Sequence, residues 1–428
     1  MDKYGLIALV VCAYVAIIGP FIYTGGTDIN VALTDLQNAE PALAGRIFFP
    51  AISAVTIIMA IRNHSRLRRW PPHMICLFAY VAFAGASALW AFRPETSFVR
   101  FIQLAMMISA IVLPAMLAAR TVDLMRGLFL CFAAGVILNF FVGQQTSLGY
   151  EGFLRGKNEL GEFSGIAVLL ALHEILYPGL RRVLGIAVLV TASLLLIWSE
   201  SKTSFGLALI CPVLAGAIWV IRRAARISPA VIFGSALLCY AAVSSVSNFN
   251  STYISEVLYG DSTFTARTVI WNFVFSQIAQ NPLLGWGYRS FWLVGTDAPS
   301  VINAPAWVGS MPSGHNGYYD TILELGYVGL ALLMVFILAT LHAIGRVADS
   351  EGGRAWMMLS LALFIIIHNC LETSWMRGDN ALWAVFVIVA VEVARYPQAL
   401  PQTAFSPSKA KLRIATRMAT RKKYQSPC

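Results

Sequence analysis

The sequence predicts an all-α polytopic membrane protein with about 12 transmembrane helices and one large loop between spans 9 and 10. Of the 428 residues, 58% are hydrophobic and only 12% are charged, whereas soluble domains carry about 25% charged residues. The apolar residues also form long continuous runs, and about 20 such residues cross a bilayer. This composition excludes a soluble enzyme, a secreted disulfide scaffold and a disordered protein. The continuous runs exclude an outer-membrane barrel.

Twelve apolar segments are predicted to cross the membrane. In chain order they are 4–23, 47–62, 72–91, 98–119, 122–143, 160–177, 183–199, 204–221, 229–247, 317–343, 355–372 and 380–395. The first segment is expected to be retained, because it follows a weakly basic start and precedes no clear small-residue cleavage site. The seven cysteines include no C-x-x-C pair, so neither a metal site nor a disulfide framework is predicted.

Positive charge predicts the orientation of these spans. Twenty-two of the 31 Lys and Arg residues lie at the N-terminus, in alternate connections and in the C-terminal tail. By the positive-inside rule this side is cytoplasmic, so both termini are inside and the large loop is periplasmic. The tail is basic and contains no acid, and we expect it to bind anionic lipid head groups and no nucleic acid.

The chain is therefore expected to have four parts. Residues 1–247 hold spans 1–9, residues 248–316 form the periplasmic loop, residues 317–395 hold spans 10–12, and residues 396–428 form the basic cytoplasmic tail. The loop is rich in Trp, Tyr and Phe and is not of low complexity, which predicts an ordered segment. Long ordered loops are usually functional, so chemistry is expected there.

Nine cations lie on the predicted periplasmic side, against the rule. They are Arg46, Arg93, Arg100, Arg155, Lys157, Lys202, Arg267, Arg289 and Arg377. One interpretation is that each pairs with a local acid, as Arg377 with Asp379. The other is that several converge on an anionic ligand at the outer face.

An amphipathic helix is predicted directly after Arg267, because apolar residues recur at helical spacing from Val269 to Ile278. Ser262, Thr263 or Thr265 is expected to cap its start, and Asn281-Pro282 to stop the chain from continuing as a helix. We expect this helix to lie on the membrane surface. A cation in the first turn is disfavoured by the helix dipole, so Arg267 is expected to face an anion such as phosphate.

His315 is predicted to lie at the outer lip of span 10, after a turn made by Pro312 and Gly314. It is either a hydrogen-bonded structural residue or a general base, and it is the one imidazole predicted on the outer face. Asp320 and Glu324 are four residues apart and share a helix face. They are expected either to orient His315 or to pair with Arg289 or Arg377.

Two further patches are predicted on the same side. Arg155 and Lys157 precede span 6, and Lys202 lies in the short link between spans 7 and 8. Lys202 is expected either to reach a lipid phosphate by snorkelling or to bind a lipid-linked phosphate. A set of loop aromatics is expected either to stack on acceptor sugars or to anchor the loop at the interface: Trp286, Tyr288, Trp292 and Trp307.

These residues form a pattern that resembles the O-antigen ligase and polymerase superfamily. The pattern is Thr-Ala-Arg267, Trp271, Asn281-Pro282-Leu-Leu-Gly285-Trp-Gly287 and Phe291, followed by His315-Asn316, Leu323-Glu324-Leu-Gly326 and Gly329. The resemblance is dense over about 265–330. Ser201-Lys202-Thr203 stands where the ligases usually have Ser-Arg, and this variant is more similar to exopolysaccharide polymerases of the ExoQ type.

The resemblance implies a multi-pass enzyme of the bacterial inner membrane. Its activity would be that of a metal-independent, cofactor-free inverting glycosyltransferase that draws a glycan from undecaprenyl diphosphate. The acceptor would be a growing glycan, for a polymerase, or lipid A core, for a ligase. Within that frame, His315 would activate the acceptor hydroxyl and Arg267 would bind the donor diphosphate.

The other site residues are expected around these two. Lys202, Arg155, Lys157 and Arg289 are expected to join in donor binding, and Asn316, Asp320 and Glu324 to support the site. A polysaccharide transporter or flippase is the alternative from another class. Transporters usually place ionisable residues near the bilayer midplane, and here the charges cluster toward the span ends, which disfavours transport.

Overall fold

The computed structural model describes residues 3–18, 43–67, 69–119, 122–146, 149–154, 156–247 and 267–396, and these are mainly helical. Helices α1 to α7 are Lys3–Ala13, Leu43–Arg62, Pro72–Ala86, Pro94–Leu117, Leu124–Val142, Lys157–Glu174 and Leu180–Trp198. Helices α8 to α14 are Lys202–Ala225, Pro229–Ser247, Arg267–Ile278, Pro299–Ile302, Gly317–Val347, Gly352–His368 and Ala381–Arg395.

Shorter elements complete the described chain. A π-helical turn, Tyr14–Ile18, continues α1, and 3₁₀ turns occupy His64–Arg66, Ser87–Leu89 and Ala306–Ser310. Strand β1, Gln144–Thr146, pairs antiparallel with β2, Gly149–Glu151, in a two-stranded hairpin in which Gln145 is opposite Tyr150. The predicted fold class is confirmed to the extent that the described residues are all-α apart from this hairpin.

Within the part of the chain that the structure describes, six helices are long and apolar enough to cross a membrane by length and composition: Pro72–Leu89, Pro94–Leu117, Leu124–Val142, Leu180–Trp198, Lys202–Ala225 and Gly317–Val347. Shorter apolar helices include Ile47–Arg62 and Gly352–His368. Each of the twelve predicted segments contains a helix within its described part. The architecture is that of a multi-pass membrane protein.

Local sequence explains where several helices begin. Pro94 opens α4, where its missing N–H costs nothing because first-turn N–H groups have no partner within the helix. Asp123 caps α5 by accepting a hydrogen bond from Arg126 N. Asn316 and Asn380 cap α12 and α14, each through a side-chain oxygen that accepts two backbone N–H groups.

Helix α14 lies at the centre of the bundle. Its residues from Leu382 to Arg395 are all buried. It packs against α4, α12 and α13, and a helix that is apolar on all sides is expected to be enclosed by others. The loop that precedes α14 therefore ends in the middle of one end of the bundle.

The loop helix α10 packs on protein. Its residues Ile270, Phe273, Val274 and Ile278 are buried in a cluster with Leu323 of α12 and with neighbouring loop residues. This differs from the expected position on the membrane surface, because the rest of the loop supplies the apolar surface that the helix needs. Val269 and Phe275 are exposed on its other side.

Helix α12 is interrupted at Gly326, where φ is 66° and ψ is −173°. A Cβ at this position would lie 2.0 Å from Leu283 O, so the close approach requires glycine. The loop compensates for the interruption with four backbone hydrogen bonds: Trp286 N to Leu323 O, Gly287 N to Glu324 O, Tyr327 N to Pro282 O and Val328 N to Leu283 O. The loop and the first half of α12 are thus held as one unit.

Candidate active site

The carboxylate of Glu372 joins three side chains from different parts of the chain. His315 Nδ1 lies 2.9 Å from Glu372 Oε2. Arg267 donates to Oε1 at 2.5 Å, and Asn158 Nδ2 donates to the same oxygen at 2.8 Å. Glu372 thereby brings together the start of α10, the turn before α12 and the start of α6.

The backbone around His315 is fixed by hydrogen bonds to the turn that follows α13. Gly317 N donates to Asn369 O at 2.8 Å and to Glu372 O at 3.0 Å. Asn316 Nδ2 donates to Cys370 O at 2.9 Å, while its oxygen caps α12. His315 itself has a φ of 48°, in the left-handed region that side-chain-bearing residues rarely adopt. The strained conformation persists because these bonds determine the chain path on both sides.

The imidazole of His315 is arranged as a general base. A proton on Nδ1 is donated to the Glu372 carboxylate, which leaves Nε2 with its lone pair, as in hydrolase triads. Nε2 has no hydrogen-bond partner among the described residues, and 29% of the side chain is exposed. A hydroxyl group that approaches from solvent can therefore reach it.

The environment keeps Glu372 ionised. Burial acts to raise the pKa of its carboxyl, but the hydrogen bond from His315 and the positive charge of Arg267 outweigh burial. Its pKa therefore lies below the ordinary glutamate value, and at neutral pH the group is an acceptor for all three partners.

Asp320 organises the turn that carries His315. Its carboxylate accepts hydrogen bonds from Gly314 N at 3.0 Å, from Trp292 Nε1 at 2.9 Å and from Thr373 Oγ1 at 2.7 Å. It acts on the backbone next to His315 and makes no contact with the ring. Of the two alternatives expected for Asp320, the structure shows pairing with Arg377, whose Nη2 lies 3.8 Å from Asp320 Oδ2, whereas the His315 ring bonds to Glu372.

Glu324 pairs with Arg377, whose guanidinium donates to Oε1 at 2.8 Å. Of the partners expected for the two acids, Arg377 is therefore the one observed. Arg289 pairs instead with Asp379, at 3.4 Å, and its carbonyl accepts from Arg100. Arg289 has a φ of 48°, so it shares the strained left-handed backbone conformation of His315.

Arg267 begins α10, as predicted, and points toward the turn before α12. Four residues later Trp271 Nε1 donates to Gly314 O at 3.0 Å, so the first turn of α10 is tied to the residue before His315. The Arg267 side chain is 12% exposed. The guanidinium and the imidazole thus share the Glu372 carboxylate, next to the N-terminus of α10.

Lys202 is exposed at the first position of α8. The Ser201 hydroxyl before it bonds to Ser204, whose oxygen lies 3.4 Å from His368 Nε2, one turn before Glu372. Lys202 is therefore at the same end of the bundle as the Glu372 cluster.

Lys157 is exposed at the first position of α6, next to Asn158. Since Asn158 donates to Glu372, Lys157 also starts its helix beside the cluster. Arg155, the sequence candidates for the cap of α10 and the basic tail lie outside the described residues, and so do the side chain of Arg46 and the loop before Arg267.

The loop aromatics are mostly engaged with protein. Tyr288 is 1% exposed and donates to Met376 O, and Trp292 is 5% exposed and donates to Asp320. Neither ring presents a face to solvent in this conformation, because Tyr288 is buried in the main core of the bundle and Trp292 in the aromatic cluster of the loop. Trp286 is partly exposed with its N–H on Gln277 O, and Trp307 is 44% exposed.

Two residues of the cluster were not selected from the sequence as site residues, Glu372 and Asn158. Glu372 was placed inside the predicted span 355–372, whereas α13 ends at His368 and the chain then turns back toward Gly317. The sequence signal that could have identified Glu372 is that it and His368 lie at the end of an apolar run. Among the described residues, no group of three His, Cys, Asp or Glu side chains could hold a metal ion.

Comparison with known proteins finds a matching family and several similar proteins. The model of a protein family described as O-Antigen ligase matches residues 187–334, a range that contains Lys202, Arg267 and His315. Exopolysaccharide production protein ExoQ of Rhizobium meliloti is 26% identical over 350 residues, which cover 77% of this chain and 79% of that protein. A putative polysaccharide ligase of Rickettsia felis is 25% identical over 337 residues, 72% of this chain and 78% of its own. The resemblance to the O-antigen ligase superfamily, with an ExoQ-like relative, is confirmed.

Proposed function

We propose that the chain is a glycosyltransferase of the bacterial inner membrane that transfers a glycan from undecaprenyl diphosphate to an acceptor sugar hydroxyl. The transfer joins exopolysaccharide or O-antigen repeat units. The observation that carries this proposal is the pairing of His315 and Arg267 on the single carboxylate of Glu372. Transfer from a diphosphate needs a base for the acceptor and a cation for the leaving group, and this cluster supplies both.

The proposed reaction proceeds with inversion. The acceptor oxygen attacks the anomeric carbon of the donor sugar from the face opposite the diphosphate. A carbon–oxygen bond to the acceptor forms while the bond to the phosphate oxygen breaks. The acceptor proton passes to Nε2 of His315, and the bonding electron pair leaves with undecaprenyl diphosphate. Glu372 then stabilises the imidazolium.

The proposed donor site is formed by cations. Arg267 meets the diphosphate, with Lys202 and Lys157 at the neighbouring helix starts and with Arg289 and Arg155 as further contacts. Fixed positive groups stabilise the charge that develops on the leaving group. Lys202 keeps its charge but cannot make the two-pronged contact of arginine, so it acts as a point charge. Because these cations neutralise the diphosphate, EDTA is expected to leave the rate unchanged.

Acceptor sugars are proposed to stack on Trp286 and Trp307, the loop aromatics with exposed surface. Tyr288 and Trp292 would contribute only if the loop opened. In the unopened loop they hold the backbone that carries Arg289 and the turn that carries His315.

The proposed topology has twelve spans with both termini in the cytoplasm and the loop 248–316 in the periplasm. The cluster then faces the outer leaflet, where a lipid-linked donor presents its diphosphate at head-group depth. The alternation of Lys and Arg between connections supports this orientation. The basic tail is proposed to hold anionic lipids of the inner leaflet.

A ligase that delivers the glycan to lipid A core is the second candidate. The family description O-Antigen ligase and the Rickettsia relative named as a putative polysaccharide ligase favour it. The same base and cations serve either acceptor. The name of the Rhizobium relative, an exopolysaccharide production protein, favours the polymerase.

One experiment separates the two candidates. The purified full chain is incubated with defined undecaprenyl-diphosphate-linked repeats alone, and in parallel with lipid A core added. Chain growth in the first reaction supports the polymerase, and product confined to the second supports the ligase. Transfer in neither reaction contradicts both, provided that the donor is intact at the end of the incubation.

A further inference from the structure

A cavity of about 450 Å³ lies at the other end of the bundle from Glu372, between the α8–α9 connection and the last turns of α12. Its lining is strongly basic. The charged or titratable lining residues are Arg222, Arg223, Arg226, Arg346, His342 and Asp349. A single acid thus faces four guanidinium groups.

Most of this positive charge is not neutralised by protein. Asp349 pairs with Arg222 at 2.9 Å. The guanidinium of Arg223 lies over the ring of Trp219, 5.5 Å from its centroid. Arg223, Arg226 and Arg346 have no acidic partner within the part of the chain that the structure describes. Like charges gathered around one cavity repel one another, and an anion between them would remove that cost.

The cavity wall is held in a defined shape. The hydroxyl of Ser228 lies 2.9 Å from His342 Nδ1 and accepts from Ala230 N, so it links α12 to the first turn of α9. A Cβ at Gly345 would lie 2.6 Å from Pro229 Cδ, so only glycine allows this approach of the α8–α9 connection. Arg226 has a φ of 57°, in the left-handed region.

We propose that this cavity binds a phosphate-bearing anion. The planar fork of arginine matches phosphate oxygens, and four arginines line this cavity, three of them without an acidic partner among the described residues. The N-terminus of α9 adds its favourable dipole to the same side. Basic pockets between membrane helices on the cytoplasmic side bind anionic lipid head groups, and this end of the bundle is the predicted cytoplasmic side. An anionic phospholipid and a soluble phosphate compound share the chemistry that the cavity recognises.

The bound anion would link the ends of two helices whose other ends lie at the proposed active site. Helix α8 starts at Lys202 and ends at the cavity, and α12 starts after His315 and ends at the cavity. The inference is independent of the reaction proposed above, because binding at the cavity can be measured without a glycan donor.

The test compares two double variants of the full chain in a non-ionic detergent. Arg226→Gln with Arg346→Gln removes two cavity guanidinium groups. Arg62→Gln with Arg66→Gln removes the same charge from exposed positions outside the cavity. Native mass spectrometry with phosphatidylglycerol, cardiolipin or phosphatidylcholine measures lipid retention. Calorimetry with inorganic phosphate or pyrophosphate measures soluble anions.

We expect the wild type and the Arg62/Arg66 variant to bind the anion equally, and the cavity variant to bind it at least about tenfold more weakly. Loss confined to the anionic lipids identifies a head-group site, and loss of phosphate or pyrophosphate binding identifies a soluble ligand. If neither binding responds to the cavity variant more than to its control, the proposal is wrong. Where the Gln pair does not fold, the single variants Arg226→Gln and Arg346→Gln, each measured against Arg62→Gln, decide by the same criterion.

Discussion

His315 Nδ1 and Glu372 Oε2 lie 2.9 Å apart, although 57 residues separate them in the chain. The other oxygen of this carboxylate accepts from Arg267. A single side chain therefore fixes the tautomer of the imidazole, sets the direction of its free nitrogen and holds the guanidinium next to it. The imidazole of His315 and the guanidinium of Arg267 are therefore electrostatically coupled through the carboxylate of Glu372.

Replacement of His315 by Ala is expected to lower glycan transfer by about 10²–10⁴, the usual contribution of a positioned general base. Protein level and elution on size exclusion are expected to be unchanged. His64→Ala is the matched control, because His64 is an exposed histidine in a turn far from Glu372. Normal polymer length in the His315 variant would refute the assignment of the base.

Replacement of Arg267 by Ala is expected to reduce transfer by about 10²–10³, as for loss of a preorganised donor to a developing anion. The loss should be largest at limiting donor, because the guanidinium contacts the diphosphate. Arg267→Lys keeps the charge and should recover part of the rate. The measurement is initial rate against donor concentration. An unchanged rate for the Ala variant at limiting donor would count against diphosphate contact.

Replacement of Glu372 by Gln is expected to lower kcat with a smaller effect on the KM for acceptor. The amide cannot stabilise the imidazolium as a carboxylate does, whereas the acceptor-binding surface is unchanged. Glu372→Asp, which keeps the charge on a shorter side chain, should retain more activity than the Gln variant. Equal kcat values for wild type and the Gln variant would show that the carboxylate has only a structural role.

Acid stability provides a separate test of Glu372. Its folded-state pKa lies below the unfolded value of about 4.3. The stabilisation is therefore fully present above about pH 4.3 and is lost as the pH falls through the lowered folded pKa. The melting temperature of the wild type relative to Glu372→Gln is expected to fall over this acidic window. A difference that is independent of pH from 3 to 8 would contradict the ionic interaction.

The interruption of α12 predicts that Gly326→Ala is destabilising by at least about 1–3 kcal/mol. The new Cβ meets the Leu283 carbonyl on backbone that already has a φ of 66°. Gly206→Ala is the control, since a Cβ there meets nothing within 4 Å and the residue lies inside α8. Thermal unfolding in detergent measures both. Equal melting temperatures for the two variants would be inconsistent with the backbone geometry described.

Periodicity and charge were sufficient to predict the helices and the position of His315 and Arg267 at helix starts. Each of these properties is local, because apolar runs, capping residues and turn residues act within a few positions of the chain. The surroundings of the helix after Arg267 could not be predicted in this way. Its apolar face met loop residues instead of lipid, and the sequence does not distinguish these two apolar surroundings.

Glu372 could not be assigned from the sequence because its role depends on where α13 ends. That end is set by hydrogen bonds between residues 369–372 and Gly317, which are far apart in the chain. The burial of Tyr288 and Trp292 has the same origin, since their partners Met376 and Asp320 come from other segments. Local pattern gives the residue types, and long-range packing decides which of them meet.

The interlocked backbones of segments 282–287 and 323–328 limit how this chain can be recombined with its relatives. Each segment supplies the hydrogen-bond partners of the other, so a graft boundary between them would join two halves that evolved against different counterparts. Chimeras meant to change acceptor choice should therefore exchange 282–328 as a single block. The same reasoning predicts that insertions are tolerated outside this block more readily than within it.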